Sequence, residues 1–493
     1  SMGAYSMCLP STLKIFHGEQ QIIKENRYSY CKYSCTSNNK IVVPLIKQDY
    51  EIDYNLDKHN EVLKVTVSQN DYLSDNYTIT TYDKLIRHEY TSRGVTDDCQ
   101  INHPYDCQYM TDTYITYDDD VSNWVINRPR EIFNYHYDKT GEIIGNTRIF
   151  VYDKINPLRV IKETKIPNIN SDYTDSLLVE TSYDYDMFGN MISKTMSSPS
   201  VEHPKTIRYE YGEEYQYRYR TKTIDEQGRE IDCNYDMNYG LLISTEDYNE
   251  FETKSIEQAS GVTTLLEMPD GMKKAKAIRW AKANDYAPYG ASYYVWEKST
   301  GQAESMVFYH KSGVELRNVT FDINGDVIFI DVSYDDFGNV KQKTLPYSEG
   351  DEKIFVKNVY DCFNRLVEVI YPSDVVKRNM YDGNVVCTEM VSNDGKRHRV
   401  TNKYNVMNWL VEAVDAGGNK IKYEYFCDGL IKYAQIGDNA KTQISVTYDN
   451  CRNRTSLNDP NYGLTTYEYD AWGNVKKIKN PKNGVIELQY DMS

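Results

Sequence analysis

Along the last third of the chain, apolar and polar residues alternate in short bursts. Thr466-Tyr467-Glu468-Tyr469 is one of them, and a period of two predicts a strand with one buried face. The burst ends at Tyr469-Asp470, and Gly473 follows the aspartate by three residues. That is hairpin-turn chemistry: the Asp carboxylate bonds local backbone amides, and Gly or Asn tolerates positive φ. A second strand then runs through Asn474-Val475-Lys476-Lys477-Ile478, and Asn480-Pro481-Lys482-Asn483-Gly484 turns the chain back. At about 3.3 Å per residue, two strands and two turns fit a period of roughly 21 residues. The predicted unit is one β-hairpin, with Tyr packed beneath the turn and Asp closing it.

The unit repeats. Tyr334-Asp335 with Gly338, Tyr360-Asp361 with Asn364, Tyr381-Asp382, Tyr404-Asn405, Tyr425-Phe426, Tyr448-Asp449 with Asn453, Tyr469-Asp470 with Gly473, and Tyr490-Asp491 stand 26, 21, 23, 21, 23, 21 and 21 residues apart. A period this regular on a fixed motif marks a repeat architecture, in which each unit buries itself only against its neighbours. Upstream, Tyr185-Asp186-Met187-Phe188-Gly189-Asn190 matches closely and Tyr137-Asp138-Lys139-Thr140-Gly141 well. Tyr152-Asp153 and Tyr235-Asp236 are variants, while Asp225 with Gly228 and Asp322 with Gly325 keep the turn without the Tyr.

Four stretches follow from this: strand-rich residues 1–120, read as a cap or atypical repeats, with a separate β-sandwich as the rival; repeats over 121–250; an irregular segment over 251–330; and regular repeats over 331–493. Within the irregular segment, Met272-Lys273-Lys274-Ala275-Lys276-Ala277-Ile278-Arg279-Trp280-Ala281-Lys282-Ala283 is rich in helix formers and is read as a short helix,.

Composition points the same way. Tyr outnumbers Phe 47 to 12, and aromatic and β-branched residues suit a pleated, half-buried surface. The formal net charge is −17, which argues against a nucleic-acid partner and against adsorption to an anionic membrane. No apolar run is long enough to span a bilayer as a helix. Ser1-Met2-Gly3 reads as a cloning remnant, so the lack of a leader there does not set the location.

Little of the sequence carries chemistry. Neither a zincin pair, nor a phosphate-binding glycine loop, nor a Gly-x-Ser-x-Gly elbow occurs. Cys31 and Cys35 with Cys99, His103 and Cys107 supply a zinc-like ligand set, but at spacings wider than usual; isolated buried cysteines or one disulfide is the preferred reading. Cys362, Cys427 and Cys451 fall near repeat turns and read as small packing residues. Acid pairs such as Asp118-Asp119-Asp120 and Asp335-Asp336 belong to turns and solvent rather than to a glycosidase pair or a calcium site. No catalytic residue, metal or cofactor is assigned.

These tyrosine–aspartate units resemble the Rhs/YD repeats of Rhs proteins, of the C component of insecticidal toxin complexes, of bacterial wall-associated proteins and of teneurins. Asn123-Trp124-Val125-Ile126-Asn127-Arg128-Pro129 is similar to the Trp-containing run before the repeats in toxin-complex and Rhs chains. Tyr309 to Tyr347, with Phe321-Asp322-Ile323-Asn324-Gly325-Asp326 and Leu345-Pro346-Tyr347, resembles Rhs-like proteins of Bacteroides-type bacteria. The resemblance implies an all-β strip of hairpins winding into a spiral, hollow or half-open shell. It further implies a C-terminal toxin or effector as cargo, adjoining shell segments as partners, and a bacterial secreted or cell-surface location. Family toxins also carry an aspartyl autoprotease at the end of the shell. Asp459-Pro460-Asn461-Tyr462-Gly463 is only superficially like its segment and sits between ordinary repeats, and Asp491-Met492-Ser493 lies inside a repeat, so self-cleavage is not assigned. The expected function is a non-catalytic scaffold; the alternative is surface adhesion or carbohydrate binding through exposed tyrosines.

Overall fold

In the computed structural model the described residues are 9–18, 21–34, 42–58, 62–73, 84–92, 109–118, 125, 128–138, 140–168, 177–257 and 263–490. They form 36 β-strands, from β1 (Thr12–His17) to β36 (Val485–Glu487). Each strand pairs antiparallel with the next in sequence, for example β1 with β2 (Gln21–Ser34), β9 (Val160–Ile166) with β10 (Val179–Tyr185), and β35 (Val475–Lys479) with β36. The result is one long meander. Its strands are widest near the start, where β2 has 14 residues and β3 (Val42–Tyr54) has 13, and narrow to five in β23 (Val340–Thr344) and β35. β6 (Tyr109–Tyr117) pairs with β7 (Pro129–Asp138), with one register slip beside Tyr117.

The accessible surface is 30810 Å². A compact monomer of this mass exposes about 19,000 Å². The excess means that the sheet is a single layer, with water or half-packed side chains on both faces. At one thicker point among the described residues, Phe308 and Val319 are wholly buried with Ala281, Tyr294, Met306 and Phe329. It lies on β19 (Ala291–Ser299), β20 (Ser305–His310), β21 (Glu315–Phe321) and β22 (Val327–Tyr334), with Tyr294 stacked on Phe308 at 5.0 Å.

The helix read over 272–283 is not formed. Lys273–Trp280 is β18, and only Ala281–Ala283 makes a single 3-10 turn. Lys and Ala are good helix formers, but propensity is worth less than about 1 kcal/mol per residue, and pairing on both sides overrides it. β17 (Thr263–Glu267) and β19 flank the segment, Lys273 and Lys276 form ion pairs with Glu267 and Glu297 across the strands, and Arg279 lies over the Trp296 ring.

A meander has two rims of turns. Those after β10, β22, β24 (Phe355–Tyr360), β32 (Gln443–Tyr448) and β34 (Gly463–Tyr469) carry the Tyr-Asp motif and form the tyrosine rim. Turns after odd-numbered strands form the opposite rim. The Asp225 and Asp322 turns, which look like degraded repeats in the sequence, belong there; so does Tyr137-Asp138.

Candidate functional site

The repeat motif builds its turn in a constant way. Asp186 Oδ1 accepts the N–H groups of Phe188 (2.9 Å) and Asn190 (2.8 Å), and its Oδ2 accepts the Asn190 side chain at 2.9 Å. Asp335 treats Phe337 and Asn339 in the same way, Asp361 treats Phe363 and Arg365, and Asp470 treats Trp472 and Asn474. Asp449 accepts from Asn453 through both backbone and side chain. Three residues after each aspartate the backbone turns left-handed, at Gly189 (φ 98°), Gly338 (φ 87°) and Gly473 (φ 85°), and at Asn364 and Arg452 where the chain lacks glycine. This is the three-residue hairpin loop with a bulge, whose left-handed position favours Gly or Asn. Burial pushes the Asp186 and Asp361 carboxyls up, but the donors from Asn190 and Arg365 and from the turn amides outweigh it and hold both below the usual range,. Asp382 departs from the pattern. The Gly383-Asn384 turn beside it has only two residues, and its carboxylate instead meets Lys58 at 3.2 Å.

The tyrosines have a role that the sequence did not disclose. Beside all of them but Tyr381, whose two-residue turn keeps the register, the pairing slips. Asp184 faces Ser193 while Tyr185 faces Met191, and the same slip occurs at Tyr334, Tyr360, Tyr404, Tyr425, Tyr448 and Tyr469. A bulge of this kind leaves backbone groups without ladder partners. The next tyrosine along the rim supplies one: Tyr381 OH donates to Leu366 O at 3.0 Å, Tyr360 to Val340 O, Tyr425 to Leu410 O and Tyr469 to Arg454 O. Tyr185 reaches Val160 O and Tyr211 reaches Met191 O. The acceptor is the residue paired with the preceding tyrosine, so these six hydroxyls each tie one hairpin to the one before. Burial raises the pKa of Tyr185, Tyr425 and Tyr469, which keeps these donors protonated. A phenyl ring would pack equally well but leave the carbonyl bare, which favours Tyr over Phe at these positions. Tyr425→Phe is therefore expected to cost about 1 kcal/mol, read as faster amide exchange in β29 (Leu410–Val414) and β30 (Lys420–Tyr425). Tyr462→Phe, at a ring 68% exposed, should be silent, and equal effects of the two would refute the tie.

The strip winds until its rims meet. His17 lies against Phe363 with ring centroids 4.8 Å apart. Arg365 donates to Asp57 at 2.7 and 3.2 Å, across 308 residues of sequence, and Gly383 N–H donates to the same carboxylate at 3.1 Å. Asn405 donates to Tyr109 OH, and Tyr109 packs edge-on against Trp409 at 5.0 Å. Cys427 Sγ donates to His136 O at 3.3 Å, and Lys205 approaches the Trp472 ring at 6.0 Å. The tyrosine rim of the second lap thus sits on the opposite rim of the first. Between them, Tyr54, Leu56 and Leu63 face Val386, Tyr404 and Val406 around a cavity of about 570 Å³.

The other candidates of the sequence fall as follows. Cys8, Cys35, Cys99, His103, Cys107, Asp119, Asp120 and Trp124 lie outside the described residues, as does the side chain of Cys31. Cys362 and Cys451 are exposed, and Cys427 is buried in the seam, its thiol pushed up to about 12 by burial and then by the nearby carboxylates of Glu142, Asp428 and Asp138. Such a thiol is unreactive. Asp118 pairs with Arg128 at 2.7 Å.

No model of a protein family matches the sequence, and no curated protein matches it. Solved structures do. The fold is similar to the crystal structure of TcdB2-TccC3, at 12% identity and a TM-score of 0.67, covering 96% of this chain and 31% of that one. It is similar to the Photorhabdus luminescens Tc holotoxin pore with a mutated TccC3, at 11% identity and a TM-score of 0.70, covering 96% and 33%. A crystal structure of TcdB2-TccC3 with Cdc42 matches at 11% identity and a TM-score of 0.67, again covering 96% and 33%. At these identities the likeness is one of fold. The chain spans about a third of the length of the solved chains it matches.

Proposed function

We propose that this chain is a segment of an Rhs/YD-repeat shell, a non-catalytic wall that encloses or presents a C-terminal toxin or effector domain of a protein secreted by, or displayed on, a bacterium. The seam carries the reading: a single-layer strip winds until its tyrosine rim closes on its opposite rim, which is how a wall is made and not how a cleft is made. The fold it shares with Tc toxin chains supports the same reading. The carboxylates of the repeats are spent on structure. Both oxygens of Asp186, Asp335, Asp361 and Asp470 accept turn donors, whereas a general acid or base needs a carboxyl free to meet substrate.

The test is the intact mass of the native full-length gene product that carries this strip. Two masses under denaturing conditions, from pieces that co-purify under native conditions, are expected if the wall holds a released cargo. A single uncut chain with no separable piece would overturn enclosure and leave surface binding as the better reading.

A further inference from the structure

The seam cavity of about 570 Å³ opens where the repeat departs from its own pattern. The turns after Tyr360 and Tyr404 carry a bulge, whereas the Gly383-Asn384 turn between them has two residues and keeps its register. The rim is drawn back by a residue there, and Leu56 and Leu63 of the first lap face Val386 and Val406 of the second across the gap. The strands that line it are paired on both sides, so the gap belongs to the seam and not to an edge of the sheet.

Three polar side chains line this gap without a close partner. The hydroxyl tie made by other tyrosines needs a carbonyl freed by a bulge beside the preceding tyrosine. Tyr381 faces Val386 without a slip, and the Tyr404 hydroxyl has no partner among the described residues. Lys64 makes no ion pair among the described residues. Asp53 lies directly opposite Lys64 on the neighbouring strand and has Lys24 at 4.0 Å, but Lys24 bonds more closely to Glu51. Burial pushes the Asp53 carboxyl up, and the pull of Lys24 and Lys64 does not offset it, as expected of a carboxylate that lacks a close cation.

The geometry points to a binding site in the seam for a small apolar zwitterion, an amino acid with an aliphatic or aromatic side chain. The proposal goes beyond the shell reading, because it needs only the seam and makes no use of cargo. Residues directly opposite on antiparallel strands hold their Cβ atoms about 4.5–5.5 Å apart. Asp53 and Lys64 therefore flank the ammonium and the carboxylate that an α-amino acid carries on one carbon. Tyr404 donates to that carboxylate from the facing lap, and the apolar side chain fills the space between Leu56, Leu63, Val386 and Val406. Apolar walls with a few convergent polar groups are the usual make-up of small-molecule sites, and the volume lies within their range of about 300–1,000 Å³. An acid alone would leave Asp53 without a partner, and an amine alone would leave Lys64 without one, which sets the zwitterion above either. The groups come from both laps, so the ligand binds the closed seam and stabilises it by mass action.

Titration calorimetry of the 493-residue chain with L-phenylalanine and L-leucine tests it, with 3-phenylpropionate and phenethylamine as the analogues of phenylalanine that keep one charge each. Saturable binding of L-phenylalanine, tighter than either analogue by about tenfold or more, is expected. Asp53→Asn should abolish the preference over 3-phenylpropionate, and Lys64→Met the preference over phenethylamine. Tyr404→Phe should weaken L-phenylalanine by about tenfold. Bound L-phenylalanine should also slow amide exchange at 383–386 and 404–406 and leave 225–251 unchanged. Unchanged circular dichroism, with unchanged exchange in the 361–365 turn, separates a lost site from a lost seam. No saturable binding of either amino acid, binding no tighter than that of the analogues, or binding that ignores all three substitutions overturns the proposal. None of these results bears on enclosure of a cargo, which the intact mass decides.

Discussion

Asp57→Ala is expected to loosen the seam between the two laps while leaving the hairpins on either side intact. The Asp57 carboxylate accepts two bonds from the Arg365 guanidinium and one from Gly383 N–H, and the Asp57 and Arg365 side chains are only 20 and 23% exposed. Burial alone would lower the Arg365 pKa, but the hydrogen bonds to Asp57 and Asp361 raise it, so the guanidinium stays charged. A hydrogen bond to a charged group is worth about 1.5–3 kcal/mol. Removing the shared acceptor leaves Arg365 with Asp361 alone and leaves an amide facing the cavity, and a loss of about 3 kcal/mol confined to the seam follows. Hydrogen exchange read by mass spectrometry is the suitable probe, since a strip of nearest-neighbour contacts does not unfold as one unit. Exchange should quicken in the turns at 361–365 and 383–384 and in the 55–58 turn, and stay unchanged at 225–251. A double-mutant cycle with Arg365→Met should show strong coupling. Independent, additive effects would remove the latch from the account.

Much of this architecture was legible in the sequence because its cause is local. Alternation over a few residues sets the strand, an aspartate with a Gly or Asn three residues on sets the turn, and the period sets the hairpin; Tyr469-Asp470 with Gly473 carries all three. What stayed hidden depends on contacts that no window spans. The Met272–Ala283 segment has helix formers at nearly every position, and only the strands on both sides make it β18. Asp225 and Asp322 looked like worn repeats because the sequence does not mark which rim a turn joins. The target of each tyrosine hydroxyl is a carbonyl exposed by a bulge in the preceding hairpin, and neither Leu366 nor Leu410 bears any mark of it. Asp57 is one acidic residue among many until the winding brings Arg365 to it.

The second large effect is expected at Asp331, where the strip is thickest. Its Oδ1 accepts Arg317 Nε at 2.6 Å, and its Oδ2 accepts Arg317 Nη2 at 3.1 Å, Tyr347 OH at 2.7 Å and Lys353 Nζ at 2.7 Å. Arg317 in turn donates to Tyr286 O and lies over the Phe329 ring at 4.8 Å. One carboxylate therefore joins β21, β22 and the connection that carries Tyr347 and Lys353, directly against the buried cluster of Phe308, Val319 and Phe329. Burial pushes this carboxyl up, but the bonds from Arg317, Lys353 and Tyr347 prevail and bring it down to about 2. An unfolded aspartate titrates near about 3.9, so the unfolded chain binds the proton more readily. The group contributes stability that is complete above about pH 4 and is lost as the pH falls toward about 2, a difference of about 2 kcal/mol. Asp331→Ala removes the acceptor altogether and strands a half-buried guanidinium, with an expected cost of about 3 kcal/mol or more. Hydrogen exchange in β20 to β22 between about pH 4 and pH 2, corrected for the intrinsic pH dependence of exchange, reads both effects. The wild-type segment should lose protection across that window, and Asp331→Asn should start lower and stay flat. If the variant keeps the wild-type acid slope, the proton is bound elsewhere and Asp331 does not govern this joint.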